Sequence, residues 1–390
     1  MAADLFPLLW LCGPGGIGKS TTAWQLFTEL SDAGVPTAFA DTDQFCMCYP
    51  APPGDPGRQH VKALNVGAMI GNYRAAGARC LIANGVLDAT GLRTELLPRA
   101  AVTICRLRTS TVELERRLAI RDGQQSSFAD LLSVTMAEAD EMDHSTFADA
   151  CVDTTGVPEH AVAALVRRAC PNWPGFTGTL PEEVSPASDG IGGDTGGNVM
   201  LITGPAGVGK STSGFQAYLA TLQAGRTAGY VDLDQIGFVR TPQIASGARN
   251  HELKARNLAA IWRNYRDAGA THLVATGPIE DEAAFRRYAG QLPDATVTLC
   301  RLRAGSDELA SRILSRGAGG SWPQPGDPLR GQPPEVLSQA AALAAREAAA
   351  LDEAALPGLI IDTDGRTPSE AADLIDGAAT GWRTEPVPAD

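Results

Sequence analysis

Eight residues, Gly13-Pro14-Gly15-Gly16-Ile17-Gly18-Lys19-Ser20, return with two changes as Gly204-Pro205-Ala206-Gly207-Val208-Gly209-Lys210-Ser211, 191 positions further on. Both copies satisfy the pattern G-x-x-x-x-G-K-[ST]. In this pattern successive backbone N–H groups converge on phosphate oxygens at the positive end of the following helix. An apolar run leads into each loop, Leu5–Cys12 and Asn198–Thr203, and a helical pattern follows. The bland alternative is an accidental Gly-rich turn between a strand and a helix. A second copy at domain spacing, in the same context, argues against accident.

The repeat extends well beyond the loops. Ala40-Asp41-Thr42-Asp43-Gln44 matches Val231-Asp232-Leu233-Asp234-Gln235, and His60 lies opposite His251, at the same separation of 191. Asn72-Tyr73-Arg74 returns as Asn264-Tyr265-Arg266, Cys105-Arg106-Leu107-Arg108 as Cys300-Arg301-Leu302-Arg303, and Val152-Asp153-Thr154 as Ile361-Asp362-Thr363. The separation grows to 209 at the last pair, mostly inside Gly317–Pro334. Landmarks kept in one order, with insertions confined to loops, indicate internal duplication. Each half alternates short apolar runs with helical patterns, which predicts α/β domains built on a parallel sheet covered on both faces. In the first half the expected strands are Leu5–Cys12, Pro36–Ala40, Cys80–Ala83, Val102–Arg106 and Ala150–Asp153. In the second they are Asn198–Thr203, Thr227–Val231, His272–Ala275, Ala295–Arg301 and Gly358–Asp362. The expected architecture is two tandem P-loop domains, residues 1–170 and 198–383, each with a five-stranded parallel sheet flanked by helices and a mobile lid. The Pro-, Gly- and Ser-rich stretch 171–197 joins them as a flexible linker.

Composition narrows the chemistry further. With 44% hydrophobic and 20% charged residues, 390 residues are enough for two globular cores. The net charge of −13 disfavours sequence-independent nucleic-acid binding, which needs a basic surface. It does not disfavour phosphate held by local backbone dipoles. Eight cysteines do not make a disulfide framework at this length, and Cys46-Met47-Cys48 has no second pair to complete a zinc site. Leu5–Cys12 lacks a basic start and a cleavage site and runs straight into the phosphate loop, so it reads as a strand. No run approaches the roughly 20 apolar residues of a membrane helix. A cytoplasmic protein with no membrane partner is expected.

Lys19 and Lys210 are the candidates to reach the β- and γ-phosphates, and Ser20 and Ser211 to ligate Mg2+. Gly13, Gly15, Gly16, Gly18 and Thr21 complete one nucleotide cradle; Gly204, Gly207, Val208, Gly209 and Thr212 complete the other. Aspartates at alternate positions of an extended segment face the same way. At the carboxyl end of a parallel strand they face the ligand crevice. So Asp41 with Asp43, and Asp232 with Asp234, can divide their work between the metal side and a substrate hydroxyl. The competing reading is a turn or helix-cap aspartate. Arg117 with Arg121, and Arg312 with Arg316, share helix faces beside the expected lids and are candidates to meet the moving phosphoryl group. A solvated helix face is the alternative. Arg58, His60 and Lys62, with Arg249, His251 and Lys254, precede or open a helix and suit a polar or anionic substrate, or equally a charged surface. Trp24, Trp262 and Trp322 read as packing residues.

Taken together, these motifs resemble the nucleoside-monophosphate-kinase branch of P-loop kinases, which includes shikimate kinase, adenylylsulfate kinase and chloramphenicol phosphotransferase. Asp41-Thr42-Asp43 is similar to the Asp-x-Asp of shikimate kinase, which implies that the first aspartate lies toward the metal and the second contacts the acceptor hydroxyl. Arg249-Asn250-His251, Arg256-Asn257-Leu258 and Gly277-Pro278-Ile279 are similar to adenylylsulfate kinase, which places Arg256 among the substrate-side candidates. The resemblance also implies that the loops after Asp153 and Asp362 lie near adenine. Asn84 and Thr276 stand where motor proteins and GTPases carry a Walker-B aspartate, which fits this branch. The expectation is transfer of the ATP γ-phosphoryl group, with Mg2+, to a hydroxyl of a small metabolite or antibiotic-like molecule. The alternatives are a tandem ATP-binding regulator with one or both halves silent, and a nucleoside or nucleotide kinase. An intrachain pseudo-dimer of the halves is a further expectation.

Overall fold

The computed structural model describes residues 5–88, 90–97, 99–122, 128–175, 196–242, 244, 249–319, 327, 329–354, 356–379 and 382. Much of the expected linker, the middle of Gly317–Pro334 with Trp322, and the C-terminal tail lie outside the described residues. Twelve strands are present among those described: β1 (Phe6–Cys12), β2 (Thr37–Asp41), β3 (Met47–Tyr49), β4 (Cys80–Asn84), β5 (Ala100–Arg108), β6 (Ala150–Asp153), β7 (Gly197–Thr203), β8 (Ala228–Asp232), β9 (Val239–Arg240), β10 (His272–Thr276), β11 (Ala295–Arg303) and β12 (Leu359–Asp362). They form two sheets, ordered β6-β5-β1-β4-β2-β9 and β12-β11-β7-β10-β8-β3.

Each sheet therefore has six strands, one more than the sequence suggested. The five expected strands in each are parallel, and the sixth is a short antiparallel strand on the outer edge of β2 or β8. Strands of two or three residues carry no readable periodicity, which is why they were missed. Each extra strand also comes from the opposite half of the sequence. The chain divides into one compact unit of Met1–Asp43, Pro53–Gly190 and Phe238–Ala248, and another of Gln44–Pro52, Ile191–Gly237 and Arg249–Asp390. In the first unit Val239 and Arg240 pair with Ala38 and Thr37. In the second, Met47, Cys48 and Tyr49 pair with Tyr230, Gly229 and Ala228. An edge strand left bare invites misassociation, and each unit covers its edge in this way.

The inner strands β2, β4, β8 and β10 are buried at every position, so they run apolar without alternation. In the first unit Leu9, Leu11, Phe27, Phe39, Ile82 and Leu107 belong to one core cluster. Trp24 joins it by edge contacts to Phe39 at 5.2 Å and Phe238 at 4.9 Å, a packing role as expected. In the second unit the core gathers Met200, Ile202, Val208, Leu302, Ile313 and Ile375. Trp262 is fully buried. All eight cysteines are free thiols. No helix among the described residues is long and apolar enough to cross a membrane.

The topology places the site. From β1 the chain crosses to β2, beyond β4, and later returns to β5 on the other side. That reversal opens a crevice at the carboxyl end of β1, and the phosphate loop fills it; β7 repeats the arrangement.

Candidate active site

Each phosphate loop is locked against its own sheet. Gly13 and Gly204 both adopt φ of 146°, and a Cβ there would stand 2.6 Å from the Leu107 carbonyl oxygen and 2.5 Å from that of Leu302. Only glycine permits that approach. Gly18 and Gly209 cap the helices Lys19–Asp32 and Lys210–Gln223 in the left-handed conformation. Gly15 and Ala206 occupy the same loop position, and Gly16 and Gly207 follow with φ of 76° and 78°. Val208 has its side chain wholly in the core, so it can offer a nucleotide its backbone alone. Thr21 and Thr212 are exposed on the first helical turn.

Both lysines fold back on their loops. Lys19 Nζ donates to the Pro14 carbonyl at 3.0 Å. Lys210 Nζ donates to Gly204 and Pro205, each at 2.9 Å. Burial pushes the Lys210 ammonium below its ordinary value, against the opposing fields of Asp234, Glu347 and Asp232.

The metal-side candidates come together in both units. Ser20 Oγ donates to Asp41 Oδ2 at 2.6 Å, and Ser211 Oγ to Asp232 Oδ2 at 2.9 Å. Asp41 is fully buried; burial first and then the charge of Asp43 raise its carboxyl to about 6, against hydrogen bonds from Ser20 and Asn84. Asn84 Nδ2 donates to Ser20 Oγ at 3.1 Å. Its Oδ1 is buried with no hydrogen-bond partner. A hydroxyl, a carboxylate and an amide oxygen are the hard donors Mg2+ prefers, so these residues fit that ion. The second unit replaces Asn84 with Thr276, whose Oγ1 lies 3.0 Å from the Tyr230 hydroxyl.

The second aspartate of each pair faces a lysine. Lys254 Nζ is 2.6 Å from Asp234 Oδ1, and Lys62 Nζ is 3.8 Å from Asp43 Oδ1 while donating to the Val86 carbonyl at 2.7 Å. Desolvation works to raise Asp234, whose side chain is nonetheless 52% exposed. The Lys254 ammonium, with Lys210 and Arg249, outweighs it and holds the carboxyl below its ordinary value.

Around Asp234 the second unit adds a polar cluster. His251 Nδ1 lies 3.0 Å from the Tyr288 hydroxyl, and Nε2 lies 2.9 Å from both carboxylate oxygens of Glu280. Arg249 Nη2 donates to Glu347 Oε1 at 3.0 Å. Arg256 pairs instead with Glu252 one helical turn away on an exposed face, apart from this cluster. The first unit differs, and its register corrects one sequence pairing. Arg58 and Asn250 are both left-handed N-caps, of the helices Gln59–Ala75 and His251–Asp267. Gln59, not His60, is therefore the counterpart of His251. His60 is exposed, whereas Gln59 is buried with its Oε1 unpartnered. A single-residue length difference in the preceding loop produced the slip.

The arginines divide into two kinds. Arg117 donates to the Ile17 carbonyl at 3.1 Å, to Thr154 Oγ1 at 3.2 Å and to the Thr154 carbonyl at 3.0 Å. Arg312 does the same to Val208 at 2.9 Å and to Thr363 at 3.1 and 2.6 Å. These guanidinium groups tie the phosphate loop to the loop after the last strand. Arg316 pairs with Asp327 at 2.9 Å and adds positive field at Lys210. Arg121 lies beside the first loop, its Nη1 3.9 Å from where a Gly16 Cβ would be.

Sequence reasoning passed over Glu138 and Glu347. Glu347 Oε2 accepts from the Ala206 backbone N–H at 3.1 Å. Glu138 holds the matching place in the first unit, on a helix whose Thr135 Oγ1 lies 3.5 Å from where a Cβ on Gly15, the equivalent loop position, would be. The signal was available, since the two lie 209 residues apart, as do Asp153 and Asp362. Their helices, Phe128–Asp143 and Pro334–Glu353, are held near the C-terminus by arginines on β5 and β11. Arg106 donates to the Met142 carbonyl and pairs with Asp143 at 3.1 Å; Arg301 pairs with Asp352 at 2.8 Å. A cation suits that end of a helix.

No protein-family model matches this chain, and no curated protein matches it. Solved structures that it resembles include the tunicamycin resistance protein of Deinococcus radiodurans, at 19% identity and a TM-score of 0.31, covering 47% of this chain and 96% of that one. A sugar kinase from Janibacter shares 15% identity, with a TM-score of 0.33 and coverage of 48% and 99%. The APS kinase of Mycobacterium tuberculosis shares 17% identity, with a TM-score of 0.30 and coverage of 46% and 95%. Each likeness spans about half of this chain and nearly all of the other protein.

Proposed function

We propose that the chain is an ATP-dependent phosphotransferase carrying two sites, each passing the γ-phosphoryl group to a hydroxyl of a small molecule. The observation that carries this is the duplicated juxtaposition of loop serine, buried aspartate and lysine-paired aspartate. Ser20 with Asp41, and Ser211 with Asp232, form the metal side; Asp43 with Lys62, and Asp234 with Lys254, form the acceptor side. Bound Mg2+ would neutralise charge on the β- and γ-phosphate oxygens. The loop amides and Lys19 or Lys210 bind the phosphates, and the lysine leaves its loop carbonyl for a phosphate oxygen. Asp43 or Asp234 accepts a hydrogen bond from the acceptor hydroxyl and orients it in line. The depressed carboxyl of Asp234 makes a weak base, which suits a loose transition state where positioning outweighs proton abstraction.

The test is incubation with Mg-ATP and a panel of hydroxylated metabolites, nucleosides, nucleotides and antibiotics, scored by mass for a gain of one phosphoryl group. Lys19→Met and Lys210→Met should each silence one half, and the double variant should be inactive. Full activity in all three variants refutes the proposal. Tight ATP binding without transfer to any acceptor favours the regulatory alternative.

A further inference from the structure

The second unit presents a carboxylate to a phosphate-loop amide, and the first carries a glutamate at the matching helix position. Glu347 Oε2 takes the Ala206 N–H at 3.1 Å while its Oε1 takes Arg249 at 3.0 Å, so one side chain bridges the loop and the acceptor-side cluster. Glu138 holds the matching helix position in the first unit, in the fields of Lys19, Asp43 and Lys62. The two helices present these residues in the same way. Thr135 and Met142 are buried on either side of Glu138, as Ala344 and Leu351 are on either side of Glu347. Both glutamates remain only partly covered. An N–H that projects from this kind of loop is a ready donor for an anionic oxygen. At Ala206 a carboxylate of the protein meets that need.

We propose that Glu347 is a built-in competitor for the second phosphate loop, standing in for a nucleotide phosphate oxygen until Mg-nucleotide displaces it, and that Glu138, at the matching helix position, does the same for the first. This rests on the reading that the loops bind nucleotide. Displacement is required because a carboxylate and a polyphosphate repel, and one N–H cannot serve both fully. In the second unit the same event frees Arg249, which then faces Asp234 and the acceptor side with its donors available. Nucleotide entry is thereby linked to the readiness of the acceptor-side cation. The first unit has no arginine at that place: Gly57 is the counterpart of Arg249 in the shared helix register, so there the device gates the loop alone.

The experiment is calorimetric titration with Mg-AMP-PNP, which binds without turnover. Glu347→Gln and Glu347→Asp are measured in a Lys19→Met background, so that the second loop dominates. Glu138→Gln is measured in a Lys210→Met background. Replacing a charge-assisted acceptor by a neutral one, or shortening it beyond reach, should tighten binding by about tenfold in each case. Circular dichroism confirms that each variant retains its fold. Binding of equal or lower affinity in the folded variants overturns the competition and leaves the nucleotide site standing. Absence of binding by the parent and every variant overturns both.

Discussion

Replacing Arg312 by leucine should damage the fold of the second unit far more than its chemistry. The guanidinium is 24% exposed and makes three hydrogen bonds that cross between loops, to the Val208 carbonyl and to Thr363 Oγ1 and carbonyl, besides an ion pair to Glu308. The Glu308 pair is an i,i+4 contact on the surface and is worth only about 0.3–0.5 kcal/mol. The cross-loop bonds matter more, because Val208 and Thr363 are buried and their carbonyls would lose a charged donor. Such bonds contribute about 1.5–3 kcal/mol each and do not add in full, so a loss of about 3 kcal/mol is expected. For a unit of this size that lowers Tm by about 6–12 °C. Arg312→Lys can restore one donor direction and should recover about half of the loss. The assay is thermal unfolding followed by circular dichroism, with phosphoryl transfer measured in a Lys19→Met background well below the transition. Turnover should stay within about tenfold, with KM for ATP raised, because the loop is held less firmly. An unchanged Tm with turnover down by about a thousandfold would place Arg312 on the transferring phosphoryl group and refute the clamp.

Gly204→Ala sets a Cβ 2.5 Å from the Leu302 carbonyl oxygen at φ of 146°, and should abolish nucleotide binding by the second loop; calorimetry that finds unchanged affinity contradicts the close packing. Asp41→Asn should stabilise the metal-free protein in a pH-dependent way. The native carboxyl is raised to about 6 from 3.8, so ionising it costs the folded state at pH above about 6 and costs nothing below about 4. Tm of the variant should exceed that of the parent only at the upper end of this window, and an equal shift at every pH counts against it. Separately produced residues 1–190 and 191–390 each lack the strand that covers their sheet edge, along with Phe238 in the first case. Each should aggregate in size-exclusion chromatography, and well-behaved monomers from both would contradict the exchange.

Much of the fold was legible because its signals are local and repeated. Five strands per half, the loops between them and the Asp-x-Asp pairs each depend on a short run of residues, and the second copy tests the first. Motif position put Ser20 and Asp41 at one crevice, and the hydrogen bond between them came only with the structure. His60 was misassigned because its match to His251 kept the separation of 191 from the preceding loop, whereas Asn72 and Asn264 in the same helices are 192 apart. Left-handed caps at Arg58 and Asn250 settle the register. The role of Arg117 and Arg312 was also out of reach, since a helical arginine reads the same whether it meets a phosphate or a carbonyl.

A duplicated α/β chain with two glycine-rich phosphate-loop patterns is readable from residue order, because glycine geometry and apolar strand runs act within a few residues of one another. Which half supplies each outer strand, which carboxylate meets the Ala206 amide and where each arginine turns are visible only in three dimensions. Those outcomes depend on how far the chain travels before it returns. No local pattern records that distance.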